Sequence, residues 1–531
     1  MNQTCVYPDI SSYADTELRA SSGIQISRII DILLTELRSL ITNLGKDGGL
    51  ISPSVYDTAQ VLRLCPLQQD VWPAVDWLLG QQQADGGWGD PAAPLARDVP
   101  TLASVLALHA YGNRKATRDA AQAGLAFLRR QMGQWKQPLP DDLPVGVELL
   151  LPCLLDEAAA LGLELPREPY ATLVALGKHR RRLIAQMQPG AGTTAAHSWE
   201  AWGTNPDPTL IDGAGGVGHS PAATAAWLHA AAGRTDLAAA REAAQRYLAQ
   251  AAAATGKGIP GVVPTVWPIA RFENLFGLYS LLIAGLLEHP TLEDVVQPQI
   301  HDLACALRPT GFSWSDFFIP DGDDTAAGIA VLSAAGHQVD LAVLRHFEND
   351  SHFSTYSSEL QPSLTTTARA VHALALYGEE VARQQTFLIK CKCPDGRWPS
   401  DKWHSSWLYT TLHVVLALIN SGHITALKSA FDAMLAHQHA DGGWGMESKS
   451  TTIETAYAVL ILRTLRAYGL VDNGLLDALQ KAYQWLLRNY HPFNVSEDKG
   501  WTGKELYRPY RVDRAFELSA MLALALEEGS L

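Results

Sequence analysis

Three carboxylates stand within four residues, at Asp321, Asp323 and Asp324, with apolar residues before them and a run of small residues after them. Like charges this close together cannot all ionise in an apolar setting, so at least one carboxyl group should stay protonated near neutral pH. A neutral carboxylic acid facing a dry pocket could protonate a carbon–carbon double bond, which is too weak a base for ordinary general acids. A calcium- or magnesium-binding loop and a solvated acidic turn are the alternatives that this segment leaves open.

The elements that must position these carboxylates are helices. Most of the chain shows helical spacing of apolar residues, broken by turns rich in Gly, Pro and Asp, and strand signals are sparse. One local motif repeats: QQADGGWG at 82–89 returns as QHADGGWG at 438–445, and shorter copies end at Trp398 and Trp501. Asp-Gly-Gly favours a tight turn, over which the Trp can pack on a helix end while the Gln bonds into the turn. The pattern predicts an all-α protein built as an array of helix hairpins, closed into α/α toroids.

Composition limits the classes of function. The chain has 531 residues, 47% of them hydrophobic, which is enough for more than one domain, and a formal charge of −14 argues against a nucleic-acid-binding surface. Six scattered cysteines and the absence of a signal-like N-terminus favour a cytoplasmic protein with reduced thiols. No apolar run approaches the roughly 18 residues of a membrane span, so we expect at most a weak association with a membrane surface.

Several motifs, taken together and in order, resemble class II terpene cyclases, the family of copalyl diphosphate synthases and squalene-hopene cyclases. DGDDTA at 321–326 is similar to the family's DxDDTA motif, and the turns at Trp88 and Trp444 resemble its QxxDGxW repeats. The resemblance spans about residues 50 to 514. It also rests on further segments, which are SPSVYDTA at 52–59, HSWE at 197–200, GHSPAATA at 218–225, WP at 267–268 with FE at 272–273, DKWH at 401–404 and KELY at 504–507.

The resemblance implies a two-domain βγ architecture of α-barrels. Residues 1–45 would contribute the N-terminal helix of the β domain, 46–262 would form the γ domain, and 263–531 would complete the β domain with the acidic motif. It also implies a protonation-initiated cyclisation of a linear, about C20 isoprenoid with an anionic head group, without ionisation of a diphosphate. A prenyl-binding or protein-prenylating toroid is the alternative, but such proteins use a zinc cluster of Asp, Cys and His that does not stand out here. A non-catalytic helical scaffold would have no reason to keep the acidic motif.

By the same resemblance, Asp323 is the general acid, and Asp321 and Asp324 position it. Arg369 stands near the place where squalene-hopene cyclases carry a His that pairs with the first motif Asp. We therefore expect Arg369 to keep Asp321 ionised and to leave the proton on Asp323.

For the terminating step, copalyl-type relatives use a His and an Asn to hold the water that removes the last proton. His197 is retained here, whereas Thr367 replaces the Asn. The carbocation itself would be shielded by aromatic rings. The candidates for this aromatic wall are Trp267, Phe272, Phe276, Phe312, Trp314, Phe317, Phe318, Trp403, Trp407, Tyr409, Tyr507 and Tyr510.

The sequence does not decide whether the head group of the substrate is a diphosphate or a carboxylate. The basic residues of matched segments that could bind it are Lys402, Lys504, Arg508 and Arg511. If the substrate is a diphosphate, Mg²⁺ is the expected cofactor, with Asp141, Asp142 and Glu148 as its ligands. A carboxylate on a prenylated aromatic acid would need only the basic residues and no metal.

Overall fold

The computed structural model describes residues 22–528, apart from 137, 141–142, 358, 360, 471–472 and 495, and the regular secondary structure of this part of the chain is almost entirely helical. The first nine helices are α1 Ser22–Asn43, α2 Val55–Leu64, α3 Trp72–Gly80, α4 Asp98–Ala110, α5 Lys115–Gln131, α6 Val147–Ala160, α7 Ala171–Met187, α8 Pro221–Ala230 and α9 Ala238–Ala254. The next eleven are α10 Ala270–Ala284, α11 Glu293–Ala306, α12 Gly322–Ala334, α13 Ala342–Arg345, α14 Leu364–Leu376, α15 Ala382–Lys390, α16 Trp407–Asn420, α17 Lys428–Ala436, α18 Thr452–Ala467, α19 Asn473–Asn489 and α20 Tyr510–Glu528. A short antiparallel hairpin joins β1 Trp501–Thr502 to β2 Leu506–Tyr507.

The second half of the chain closes into a ring of six helices. Along this ring α10, α12, α14, α16, α18 and α20 each contact the next, and α20 returns to α10. Helices α11, α15 and α19 each contact two neighbours in the ring from outside. The ring helices are buried on nearly every side, as α16 is from Trp407 to Ile419, whereas α15 buries only three residues. This is an α/α toroid whose inner ring carries the acidic motif on α12.

The first half forms a smaller ring of the same kind. Helices α2, α4 and α6, the 3₁₀ turn Ala196–Ala201 and α8 contact one another in sequence, and α8 returns to α2. Helices α3, α5, α7 and α9 pack around them. The all-α, two-toroid fold predicted from the sequence is therefore confirmed.

Helix α1 belongs by packing to the second ring, although it precedes the first. It contacts α11 and α20, and Leu33, Leu37 and Ile41 share one apolar core with residues of α10 to α20. The domain limits at residues 45 and 262 stay a prediction. They require the N-terminal helix to pack with the second ring, as α1 does.

The repeated Trp turns hold helix ends in both rings. The indole N–H groups of Trp88, Trp398 and Trp444 each donate to a backbone carbonyl ten residues earlier, at 2.7 to 3.0 Å. Gln82 and Gln438 bond the carbonyls of Gly86 and Gly442 within their own turns, each at 2.8 Å. These three tryptophans are scaffold, as the sequence predicted.

Candidate active site

The acidic motif forms the N-terminus of α12. Asp321 is the N-cap residue, and its side chain accepts the backbone N–H groups of Asp323 at 3.0 Å and Asp324 at 2.8 Å. All three carboxyl groups are buried. The unpaired N–H groups and partial positive charge at a helix N-terminus favour negative charge at this point.

Arg369 on α14 pairs with the middle carboxylate of the motif. Its Nε and Nη2 donate to the two oxygens of Asp323 at 2.7 and 2.6 Å. The prediction that Arg369 pairs with Asp321 is wrong, because the Asp321 carboxylate turns back onto its own helix as the cap. A calcium- or magnesium-binding loop also loses support, because the Arg369 guanidinium occupies both carboxylate oxygens of Asp323.

Burial changes the acidity of the other two carboxyl groups. It raises the pKa of Asp321 well above its usual range, and the neighbouring Asp324 adds to the shift. Burial, with the charge of Asp323, raises the pKa of Asp324 to about 8. Within the described residues, Oδ2 of Asp321 and Oδ2 of Asp324 have no hydrogen-bond partner. The pair formed by Asp321 and Asp324 therefore holds a proton near neutral pH while Asp323 faces the cation.

Arg369 is itself fully buried among aromatic rings. It donates to the Tyr409 hydroxyl at 2.9 Å, and its guanidinium carbon lies 4.9 Å from the centre of the Phe276 ring. Burial works to lower the pKa of Arg369, but the Asp323 carboxylate more than offsets this and raises it. The arginine is thus a permanent cation that stabilises the Asp323 anion.

A cavity of about 300 Å³ lies between the two rings and is lined by residues of both. Tyr356 and Tyr507 line it, and burial raises the pKa of each well above its usual range, with the charges of Asp321 and Asp324 adding to the shift at both tyrosines. The motif therefore lies close to these two residues of the cavity wall. Asp323 is the most exposed of the three carboxylates, at 7% against 1% for each of the others.

Seven of the predicted aromatic residues lie around this cavity or around the Arg369 guanidinium. Trp314, Phe318, Trp403 and Tyr507 line the cavity. Phe272 stacks on Trp314 with 5.3 Å between ring centres and lies 4.5 Å from Phe276, which together with Tyr409 packs around Arg369.

Five predicted aromatic residues lie elsewhere, which corrects the sequence interpretation. Phe317 is 47% exposed, and Trp407 stacks under Arg397 at 4.8 Å. Phe312 packs against Gly328 behind α12, where a Cβ at that glycine would meet its ring. Trp267 packs on Tyr247 in the first ring, and the Tyr510 hydroxyl donates to Glu497. Position next to a motif does not fix the direction of a side chain.

The sequence missed Tyr356, which lines the cavity, and it also missed Trp501. Its ring centre lies 5.1 Å from those of both Phe272 and Tyr409, and its indole N–H donates to the Asp513 carboxylate at 2.8 Å. It resembled a weak copy of the Trp turn, but it does not make that turn's bond to a carbonyl. Its place immediately before the KELY segment was the signal that pointed to the site.

Of the four basic residues predicted to bind a head group, only Lys402 lines the cavity, where it pairs with Glu359 at 3.1 Å. The prediction is wrong for the other three. Lys504 is fully buried between Glu200 at 2.7 Å and Asp57 at 3.7 Å.

Arg508 and Arg511 have structural partners as well. Arg508 pairs with Glu517 at 2.6 Å, and Arg511 pairs with Glu273 at 2.9 Å. Their charges are therefore neutralised inside the fold, so neither arginine is available to a ligand in the cavity.

Two acid–base pairs face the cavity, one from each ring. Glu148 lies 3.5 Å from Arg180 in the first, and Glu359 pairs with Lys402 in the second. Burial raises the pKa of both glutamates. Asp141 and Asp142 lie outside the described residues. The described residues contain no group of three His, Cys, Asp or Glu side chains placed to hold a metal ion by themselves.

His197 lines the cavity as a neutral base. Its Nδ1 lies 2.8 Å from the Gly218 carbonyl, which can only accept, so Nδ1 carries the proton and Nε2 is left as an acceptor. Burial lowers the pKa of His197 to about 3. Thr367 does not complete this site, because its hydroxyl donates to the Ser363 carbonyl at 2.6 Å and accepts the Phe353 N–H at 3.0 Å.

Known proteins are similar to this chain over nearly its whole length. A (+)-kolavenyl diphosphate synthase of Herpetosiphon aurantiacus is 53% identical over 95% of this chain and all of its own length. An ent-copalyl diphosphate synthase of a Streptomyces species is 33% identical over 90% of this chain and 93% of its own.

The chain belongs to the class II terpene cyclases. Residues 338–513 match the family described as the squalene-hopene cyclase C-terminal domain. The solved ent-copalyl diphosphate synthase from Streptomyces platensis superposes with a TM-score of 0.77 at 31% identity, over 93% of this chain and 99% of that one.

As a class II terpene cyclase, the protein is an enzyme that cyclises an isoprenoid by protonation, not a prenyl-binding toroid without activity. In the described part of this cyclase, no helix is both long and apolar enough to cross a membrane.

Proposed function

We propose that this cyclase converts geranylgeranyl diphosphate into a bicyclic labdane-type diphosphate. The observation that carries the proposal is the buried carboxylate trio at the edge of a cavity lined by aromatic rings and by one cation from each toroid. Two relatives that are named as diphosphate synthases match this chain over 93% or more of their own lengths. They support a diphosphate as the head group of the substrate.

Asp323 is the proton donor in this proposal. It is the most exposed carboxyl group of the trio, and Arg369 stabilises the anion that remains when its proton has left. The terminal double bond takes the proton, and the resulting cation is attacked by the next double bond, which forms the first ring. The proton held on Asp321 and Asp324 then restores Asp323 for another turnover, and a proton from solvent refills this pair.

The cation is protected by the rings around it. Trp314, Phe318 and Tyr507 offer aromatic faces, which stabilise a cation by about 0.5 to 2 kcal/mol per contact and do not react with it as water would. The last proton passes to Nε2 of His197, because an uncharged imidazole is base enough for a carbocation even with a lowered pKa.

The diphosphate would be bound by Arg180 and Lys402, each of which exchanges a glutamate for phosphate oxygens. The two glutamates, Glu148 and Glu359, would then be the residues that hold Mg²⁺, which prefers carboxylate oxygens and phosphates. Asp141 and Asp142, which lie outside the described residues, remain candidate ligands from the sequence. Bound Mg²⁺ would supply positive charge that neutralises the diphosphate.

The test is incubation of the protein with geranylgeranyl diphosphate and, separately, with a geranylgeranylated aromatic acid, each with and without Mg²⁺. We expect a cyclised diphosphate from the first substrate and none from the second. Cyclisation of the aromatic acid without metal would contradict the proposal. Replacement of Lys402 by Met should raise KM for the diphosphate at least about tenfold, because a charged hydrogen bond is worth roughly 1.5 to 3 kcal/mol.

The location of the enzyme belongs to the same proposal. A cytoplasmic protein that takes up a C20 lipid would meet it at a membrane surface, so a weak surface association is expected.

A further inference from the structure

Gly218 and His219 form an unusual backbone segment at the wall of the cavity. Both have a φ of 57°. This left-handed region is uncommon for residues other than glycine, and such conformations persist only where the surroundings fix them. A Cβ on Gly218 would lie 2.3 Å from the backbone nitrogen of His197, so the close approach of the two segments requires glycine there.

The His219 side chain is fully buried and both of its ring nitrogens are engaged. Nδ1 lies 2.8 Å from a carboxylate oxygen of Asp212, and Nε2 lies 2.6 Å from the Ser315 hydroxyl. The carboxylate accepts, so Nδ1 carries the proton, and Nε2 shares a hydrogen bond with the serine hydroxyl. The Ser315 oxygen in turn accepts the Phe317 N–H at 3.1 Å. This network fixes the ring in one orientation.

The two ends of this network belong to different toroids. On one side, the Gly218 carbonyl accepts from Nδ1 of His197 and so sets the direction of the terminating base. On the other side, Ser315 belongs to the loop that leads into the N-cap of α12 at Asp321. The Phe318 ring in that loop lies 4.9 Å from the His219 ring and faces the same cavity.

We propose that His219 is a positioning residue that sets the distance between the acid of one toroid and the base of the other, and thereby selects the product. This inference rests on the proposed role of His197. In the last step a C–H bond of the cation breaks, its electrons form the new double bond, and the proton passes to His197. Neighbouring carbons compete for this step, and a displacement of about 1 Å is enough to change relative rates by a large factor.

Two variants each remove the hydrogen bond between His219 and Ser315, one by changing the histidine and the other by changing the serine. His219→Asn keeps a residue that tolerates the left-handed backbone and can still donate to Asp212, but it cannot reach Ser315. Ser315→Ala removes the same bond with little change of shape, and Ser315→Thr, which keeps the hydroxyl, is the matched control. The products from geranylgeranyl diphosphate are separated and identified by mass spectrometry and NMR.

Both breaking variants should raise the ratio of minor products, meaning double-bond isomers or alcohols from water capture, by at least about tenfold. KM of Ser315→Ala should stay within about twofold of the parent enzyme, because Ser315 does not line the cavity. The double variant should show no larger effect than either single one, and Ser315→Thr should restore the parent products.

The inference is overturned if both variants give the parent product ratio, even when their thermal stability or turnover falls, because that result means a purely structural bond. Failure of the parent enzyme to cyclise geranylgeranyl diphosphate would instead contradict the proposed function. The two failures are therefore distinguishable.

Discussion

Asp323 must receive a proton from the motif before the reaction, and it carries a negative charge again afterwards. The structure shows how the surroundings serve the second state, since Arg369 donates to both of its oxygens. The first state depends on Asp321 and Asp324, whose raised pKa values keep a proton inside the motif. The strength of the acid and its supply of protons are thus assigned to different side chains.

Replacement of Asp323 by Asn should lower kcat by a factor of about 10² to 10⁴, the range of a lost general acid. Substrate binding should remain, because the amide has nearly the same shape. Product formation and binding of an unreactive substrate analogue are the measurements. Asp350→Asn, an exposed position, is the control and should keep full activity. Normal turnover by Asp323→Asn would exclude this residue as the donor.

Arg369→Leu should lose both turnover and stability. It leaves Asp323 as a buried, unpaired carboxylate, which costs about 3 to 5 kcal/mol in the free energy of unfolding. Denaturant unfolding and steady-state kinetics measure the two effects. Arg369→Lys keeps the charge but not the two parallel bonds, and it should fall between the parent and the leucine variant. Unchanged turnover in Arg369→Leu would contradict its role.

Activity should fall as pH rises through about 8, the pKa to which burial raises Asp324. A carboxyl group with a raised pKa holds its proton below that value and loses it above, so the proton supply of Asp323 is lost on the alkaline side. The measurement is kcat as a function of pH across this value, with protein stability checked at each pH. A kcat that stays constant well above it would mean that the proton is stored elsewhere.

The chemistry of the acidic motif could be predicted from residue types and spacing, but the pairing within it could not. Three crowded carboxylates indicate a retained proton wherever they lie in an apolar setting. Which of them meets Arg369 depends on the capping geometry of Asp321 and on how α14 packs against α12. The prediction that Phe317 belongs to the aromatic wall was wrong because neighbouring residues on a loop can face opposite sides.

At the scale of elements, the β1–β2 hairpin links the two toroids. Trp501 at its start joins the aromatic cluster, Tyr507 at its end lines the cavity, and Lys504 in its turn enters the first toroid beside Glu200 and Ser220. The Gly503 carbonyl also accepts the Val145 N–H at 3.1 Å. A hairpin of two-residue strands gives almost no periodic signal, so sequence patterns located the long helices and missed this connection.

Lys504→Met should destabilise the protein without weakening the binding of the head group. The change leaves the buried carboxylates of Glu200 and Asp57 without their cation, at a cost of about 3 to 5 kcal/mol. Thermal unfolding and KM for geranylgeranyl diphosphate are the two measurements. Lys402→Met is the matched comparison, in which KM should rise while stability changes little. A raised KM with unchanged stability in Lys504→Met would return this lysine to the head-group site.

At the scale of the whole molecule, the reaction cavity belongs to neither toroid alone. One ring supplies His197, Arg180 and Glu148, and the other supplies the acidic motif and Lys402. The sequence predicted two toroids because the Trp turns and helical periodicity repeat along the chain. The cavity between them depends on contacts between residues hundreds of positions apart, which periodicity does not encode.

The most direct test of the account is cyclisation in D₂O, followed by mass spectrometry and NMR of the product. A protonation-initiated reaction adds one solvent-derived hydrogen to carbon and leaves the diphosphate in place. We therefore predict one carbon-bound, non-exchangeable deuterium in a product that keeps its head group. A product without deuterium, or one formed with release of inorganic diphosphate, would contradict protonation of the double bond by the carboxylates of α12.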